Sequence, residues 1–383
     1  MPKILFYRGV SYLQGCKLLF DIRPKTRIDD LYDREKELRM LDESIERHEP
    51  VIVVLGIRRV GKTSLVRVYL NSRKVPHIWI DLRSALVDEQ YVDVQEVTRQ
   101  LEEGLSKLLP KYRKLGEKLR SISGISILGL SVSFSGVAKQ STIISILETL
   151  NGTIRDKVAI VLDEAQYLRL LRQINFLNIM AYTYDNLHNV SFILTGSEVG
   201  LLEDYLRLDD PKSPLYGRLV RIITVPRFTR EQAIDFLIKG FKEFNITPSM
   251  EHIERIVDYL DGIVGWLALY GYMVVTEKNP ELSPDMFTEK AFKLIRSELS
   301  KIMKRSKYYG LILKAIAMGN TTWSEIKEYL EYRLRKQIND STLYRYLKKL
   351  EKLSIIRKTE RGRHTYYGFE DNLVRDYAKK LRI

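Results

Sequence analysis

The chain contains one cysteine in 383 residues, Cys16, and five scattered histidines. A lone thiol excludes a disulfide framework and a cysteine-based zinc site, and makes a reducing cytosol the default compartment. His48, His77, His188, His252 and His364 show no metal-ligand spacing. Long apolar runs are also missing. The opening residues, Met1-Pro-Lys-Ile-Leu-Phe-Tyr-Arg8, lack the apolar core of a secretory signal. Only residues 121–138 form a long uncharged stretch, and there Leu128, Leu130, Val132 and Phe134 alternate with Gly and Ser. That period of two predicts strands or a hairpin, so no membrane partner is expected.

Charge is unevenly spread. Residues 301–383 carry 21 Lys/Arg against 9 Asp/Glu, whereas residues 1–300 carry 42 against 40. The C-terminal part therefore reads either as a polyanion-binding unit or as a solvated basic surface. With 45% hydrophobic and 29% charged residues, the chain is globular and long enough for two or three cores.

The most informative stretch is Val51-Ile-Val-Val-Leu55, an apolar β-branched run that leads into Gly56-x-x-x-x-Gly61-Lys62-Thr63 and then a helical pattern. This is a phosphate-binding loop in the context it requires, strand, glycine turn and helix. Gly56 and Gly61 permit close backbone approach, and amides at the helix start point at phosphate oxygens. Lys62 is expected to reach the β/γ-phosphates and the Thr63 hydroxyl to ligate Mg²⁺. Ile57, Arg58, Arg59, Val60 and Ser64 complete the loop.

A second buried run, Val158-Ala-Ile-Val-Leu-Asp163-Glu164, ends in two carboxylates. Alone, such a pair reads best as a helix N-cap. Downstream of a phosphate loop it reads as the acidic half of the same site, with Asp163 on the metal and Glu164 orienting the attacking water. Val190-Ser-Phe-Ile-Leu-Thr195-Gly-Ser197 is a further strand, with Thr195 and Ser197 as γ-phosphate sensors or as a plain strand-ending turn. Arg218, before a last strand at 219–225, is either a cation for transition-state charge, on its own or a neighbour's nucleotide, or a surface arginine.

Alternating strands and helices give an α/β fold, a doubly wound parallel sheet at residues 28–225, preceded by an extension at 1–27 that the pattern does not place. Helical patterns follow at 226–303, a lid in which Trp266 reads as core. Residues 304–383 give three helices and a basic hairpin, a winged helix-turn-helix. Its third helix is expected to turn Ser341, Thr342, Tyr344, Arg345, Lys348 and Lys349 outward, and the wing adds Arg361 and Arg363. These residue types suit DNA, but winged helices also serve protein contacts, and both partners stay open.

Taken together, the motifs resemble the archaeal ATPase family, a branch of the AAA+/STAND P-loop NTPases. The matching pieces are Tyr32-Asp-Arg-Glu-Lys-Glu-Leu38, Gly56-Ile-Arg-Arg-Val-Gly-Lys-Thr-Ser-Leu65, Val161-Leu-Asp-Glu-Ala-Gln166, Leu194-Thr-Gly-Ser197, Pro214-Leu-Tyr-Gly-Arg218, Gly262-Ile-Val-Gly-Trp266 and Trp323-Ser-Glu-Ile-Lys327. The resemblance implies ATP/ADP and Mg²⁺ binding and slow or regulated ATP hydrolysis, with Glu164, Lys62 and Arg218 in catalytic roles. Adenine rather than guanine is likewise implied, and a homo-oligomer is one expected partner state. Related proteins often carry Gly-x-Pro in the lid; here Gly265 is followed by Trp266 and Leu267. Two readings follow: an ATPase switch that moves the winged domain, or a DNA-binding, origin-recognition-like regulator whose nucleotide is structural.

Overall fold

In the computed structural model, residues 18–88 and 90–382 are described. Cys16 and most of the N-terminal extension lie outside them. Five strands, β1 (Val51–Leu55), β2 (His77–Asp81), β3 (Val158–Asp163), β4 (Val190–Gly196) and β5 (Arg221–Thr224), form one sheet in the order β2-β3-β4-β1-β5. All four pairings are parallel. The central strands β3, β4 and β1 are buried throughout, which is why they read as unbroken apolar runs. Along β1, Val51, Val53 and Leu55 enter one core and Ile52 and Val54 the other, so both faces are covered. The edge strand β2 instead alternates between buried and half-buried positions.

This order has a functional consequence. Because β4 lies between β1 and β3, the carboxyl ends of the phosphate strand, the acidic strand and the Thr195 strand sit side by side.

Residues 121–138 form the expected hairpin, Ile125–Leu128 against Ser131–Phe134. Upstream of the loop a helix spans Glu35–Glu46, and its N-cap, Arg34, makes no side-chain cap bond. The buried Arg34 guanidinium instead donates to the carbonyls of Val60 at 3.2 Å and Pro226 at 2.9 Å. It thus ties the phosphate loop to the segment leaving the sheet.

Four lid helices follow, Arg230–Lys242, Met250–Leu260, Val264–Glu277 and Pro284–Met303. The winged domain comprises Lys307–Ala317, Trp323–Leu334, Asp340–Lys352, the antiparallel wing Ile356–Arg361 and His364–Phe369, and a closing helix Asn372–Lys379. Reciprocal capping boxes start two of these helices, Thr229 with Gln232 and Thr322 with Glu325, each contributing about 1 kcal/mol. Lid and winged helices share one continuous apolar core, separate from the two cores of the sheet. The change of pattern near residue 304 is therefore not a break in packing.

The described part of the N-terminal extension is anchored in that lid. Phe20 is buried among Phe236, Phe241 and Phe244. Its ring seats on two glycines, for a Cβ at Gly240 or Gly271 would lie 2.3–2.4 Å from ring carbons. From there the segment runs to the phosphate loop, where the Lys25 amide donates to Ser64 Oγ at 3.0 Å.

Candidate nucleotide site

The loop after β1 adopts conformations that only part of its sequence favours. Gly61, the N-cap of helix Lys62–Ser72, has φ 96°, and Arg59 is left-handed at φ 67°. Glu164, directly after β3, is left-handed as well at φ 56°. Non-glycine residues held in this region store local strain, and here two of them flank one cleft.

The charged groups converge at the strand tips. Lys62 is buried, its ammonium donating to the carbonyls of Gly56 at 2.8 Å and Ile57 at 2.9 Å. Burial pushes its pKa down to about 8, against the opposing pull of Glu164 and Asp163. Thr63 Oγ1 lies 3.2 and 3.3 Å from the Asp163 carboxylate oxygens. Thr195 donates its hydroxyl to Asp163 at 2.5 Å and accepts the Glu164 amide at 3.0 Å. Burial raises Asp163 to about 6, partly offset by these hydroxyls. Glu164 goes the other way. Burial alone would raise its pKa, but Lys62, hydrogen bonds from Ser197 and Gln166 (both 2.6 Å) and Arg58 hold it below the usual range. Neither carboxylate caps the short helical turn at Ala165–Leu170, so the N-cap alternative does not describe this pair.

The hydroxyl of Thr63 and the carboxylate of Asp163 are hard oxygen donors within one cation's reach, a donor set that fits Mg²⁺ completed by phosphate and water. Among the described residues no cluster of three or more His, Cys, Asp or Glu side chains offers a self-sufficient metal site.

The cleft continues past the loop to an apolar end that includes Ile22, Leu31, Ala268 and Leu269. Two cations to which sequence reasoning gave no site role also line it. Arg83, just beyond β2, approaches Glu164 at 3.8 Å. Arg34 closes the far side. Arg34 belongs to the Tyr32–Leu38 motif, but no local pattern gives either arginine its role, since each acts on a partner from another element.

Several expected residues lie elsewhere. Arg218 is not among the residues lining the cleft; its guanidinium forks onto Asp185 at 2.7 and 3.2 Å and donates to the Pro214 carbonyl. Its placement does not suit contact with a phosphate in the same chain. In the winged domain, Arg345, Arg361 and Arg363 are exposed and Lys348 is half-buried beside Glu351 at 2.9 Å. Lys349 corrects the expectation. It turns into the seam between winged domain and core, half-buried, with its pKa lowered first by burial and then by Arg169. The helix packs on its Lys349 side, a pairing that helical periodicity alone does not identify.

A five-stranded parallel sheet in this order, with its loop, acidic strand and winged terminus, defines a P-loop NTPase fold. A family model described as an ATPase domain predominantly from Archaea matches residues 31–269, and one of the MCM C-terminal winged helix-turn-helix domain matches residues 303–367. The chain belongs to this archaeal ATPase family. It is 35% identical to a Walker-type ATPase of Pyrococcus abyssi at a TM-score of 0.82, the match covering 94% of this chain and all of that one (100%). An uncharacterised protein of Methanocaldococcus jannaschii is 25% identical over 366 residues, covering 91% of this chain and 68% of that protein. The ORC2 protein of Aeropyrum pernix, solved in ADPNP–ADP complexes, shares the fold at a TM-score of 0.58 and 16% identity, covering 94% and 95% of the two chains. No helix among the described residues is long and apolar enough to cross a membrane.

Proposed function

We propose that the cleft binds ATP with Mg²⁺ and hydrolyses it slowly, and that the nucleotide state sets the placement of the lid and winged domain, which offers a basic surface to DNA or a protein partner. The observation that carries this reading is the Glu164 carboxylate, half-buried at the head of the loop and held by hydrogen bonds from Ser197 and Gln166, with Lys62 and Arg58 keeping its pKa below the usual range. A group so held is suited to orient a water and accept its proton. Lys62 exchanges its two loop carbonyls for the β/γ-phosphates, and the apolar end of the cleft receives the base. Thr63 and Asp163 would hold Mg²⁺, which would supply positive charge against the developing phosphate charge. Thr195 orients Asp163 and the Glu164 backbone together.

Coupling to the lid rests on the two loop arginines. Arg58 pairs with Glu198 at 2.7 Å and approaches Glu298 of the lid at 3.8 Å, while Arg59 bonds Glu298 at 2.5 Å. Phosphates entering the loop redistribute these pairs, and a ligand moves an equilibrium only by such differential contacts. The test is phosphate release from Mg·ATP by wild type beside Glu164→Gln, with nucleotide binding measured in parallel. Slow turnover that the substitution nearly abolishes while ATP still binds supports the reading. Equal inertness of both proteins, with binding intact, favours a nucleotide-loaded binding module instead.

A further inference from the structure

The third winged helix, Asp340–Lys352, is packed against the core helix Val199–Leu206. Lys352 Nζ bonds Asp204 at 2.5 Å, and the Val199 amide donates to Ser354 Oγ at 3.3 Å. The approach is close enough that a Cβ at Gly200 would lie 2.9 Å from the Lys352 backbone.

Cations line this seam from both sides. Arg169 and Arg172 follow the acidic strand, and Arg207 ends the core helix. Opposite them the winged helix supplies Arg345, Lys348 and Lys349. Lys349, Leu201 and Asp204 border both the hollow on the Arg169 side and the hollow on the Arg345 side, so the two lie next to each other along the seam. Arg169 and Arg305 both depress its pKa, so positive charges crowd here. The nearby carboxylates are each paired with a cation: Glu198 with Arg58, Asp204 with Lys352, Asp210 with Arg207 and Glu351 with Lys348, which leaves Arg169, Arg172, Arg345 and Lys349 outside these pairs. Arg169 and Arg172 are exposed and form no salt bridge with a described residue. Tyr344, 59% exposed, stands on the same face. A cationic groove with an exposed aromatic is the chemistry that tracks a phosphodiester backbone and stacks a base. The walls touch at Lys352 and Asp204 and at Gly200, so no duplex-wide gap separates core and winged helix there.

We propose that this seam is a composite track for a single strand of nucleic acid, built jointly by the ATPase core and the winged helix when the two are docked. It rests on the reading of the winged domain as a nucleic-acid partner and adds that the core supplies half the contacts.

The test is fluorescence anisotropy of the full chain with a labelled oligothymidylate of about twenty nucleotides, long enough to span such a site, and with a duplex of equal length. Arg169→Glu/Arg172→Glu is compared with Arg345→Glu/Lys348→Glu, each checked by circular dichroism. The strand is expected to bind more tightly than the duplex. The core pair should weaken strand binding by roughly tenfold or more and reduce the salt slope by about 1.4, the value for two phosphates on a single strand. If only the winged-helix pair matters, the composite track is wrong while the nucleic-acid reading survives. If wild type binds neither oligonucleotide at low salt, both fall, and the winged domain's partner is a protein.

Discussion

The guanidinium carbon of Arg59 lies 4.0 Å from the centre of the Trp266 ring, and the Arg59 carbonyl accepts the Gly265 amide at 2.8 Å. A phosphate-loop residue is thus clasped, side chain and backbone, by the start of lid helix Val264–Glu277. Against the lid Gly-x-Pro pattern of related proteins, Leu267 takes the proline position here and Trp266 the middle one. It is 1% exposed, so it is core as expected, but its indole N–H also donates to Asp371 of the winged domain at 2.7 Å. One tryptophan therefore touches the loop, the lid and the winged domain.

Trp266→Phe keeps most of the packing but removes the indole donor. Asp371, its pKa already raised by burial, loses a hydrogen bond that opposes that rise. The expected cost is about 1–3 kcal/mol, the usual penalty for an unsatisfied buried polar group. Urea denaturation of the two proteins side by side measures it.

ATP affinity should depend on pH through Lys62. Its free-state pKa is about 8, and bound phosphates favour the ammonium, so the complex retains a proton that the free protein releases above that value. Affinity is expected to be flat between about 6, where Asp163 takes up a proton, and about 8, and to weaken above that, approaching tenfold per unit. Titration calorimetry across this range reads the slope, and Lys62→Met should weaken binding and abolish the slope.

Ser197→Ala removes one of the two hydrogen bonds that orient Glu164. A bond to a charged group contributes about 1.5–3 kcal/mol, so turnover should fall roughly 10- to 100-fold if the orientation matters mainly in the transition state. ATP binding should change little. Equal losses in binding and turnover would point to a collapsed site rather than a misaligned carboxylate.

Arg218→Ala is expected to leave turnover of the dilute protein within about twofold, since an exposed pair such as that with Asp185 contributes only ~0–1 kcal/mol to stability. A loss confined to high protein concentration would place Arg218 at a neighbouring chain's nucleotide.

The sheet and the loop were legible for a simple reason. β1, β3 and β4 are buried on both faces, so their pattern is a local apolar run, and loop and acidic pair sit at fixed offsets from them. What the sequence did not disclose depends on partners far along the chain. Arg34 acts on Pro226, Arg83 on Glu164 and Phe20 on glycines more than two hundred residues away. That Lys349 faces the core was not legible, because periodicity gives the faces of a helix without saying which one meets the core. The apolar periodicity over 91–109 reads as one helix, but the helix spans Val94–Leu108, because Tyr91–Val92 pairs with Leu86–Val87 instead.

The central claim is that nucleotide state moves the lid and winged domain as one body relative to the core. Pulsed electron paramagnetic resonance tests it directly, with spin labels at Glu117→Cys on the core and Tyr332→Cys on the winged domain, and Cys16 replaced by serine. Both label sites are exposed. In the Glu164→Gln background the distance distribution is expected to differ between ATP and ADP, and to lose that difference when Arg58 and Arg59 are both changed to alanine. Identical distributions with the two nucleotides, at saturation of the site, would contradict the account.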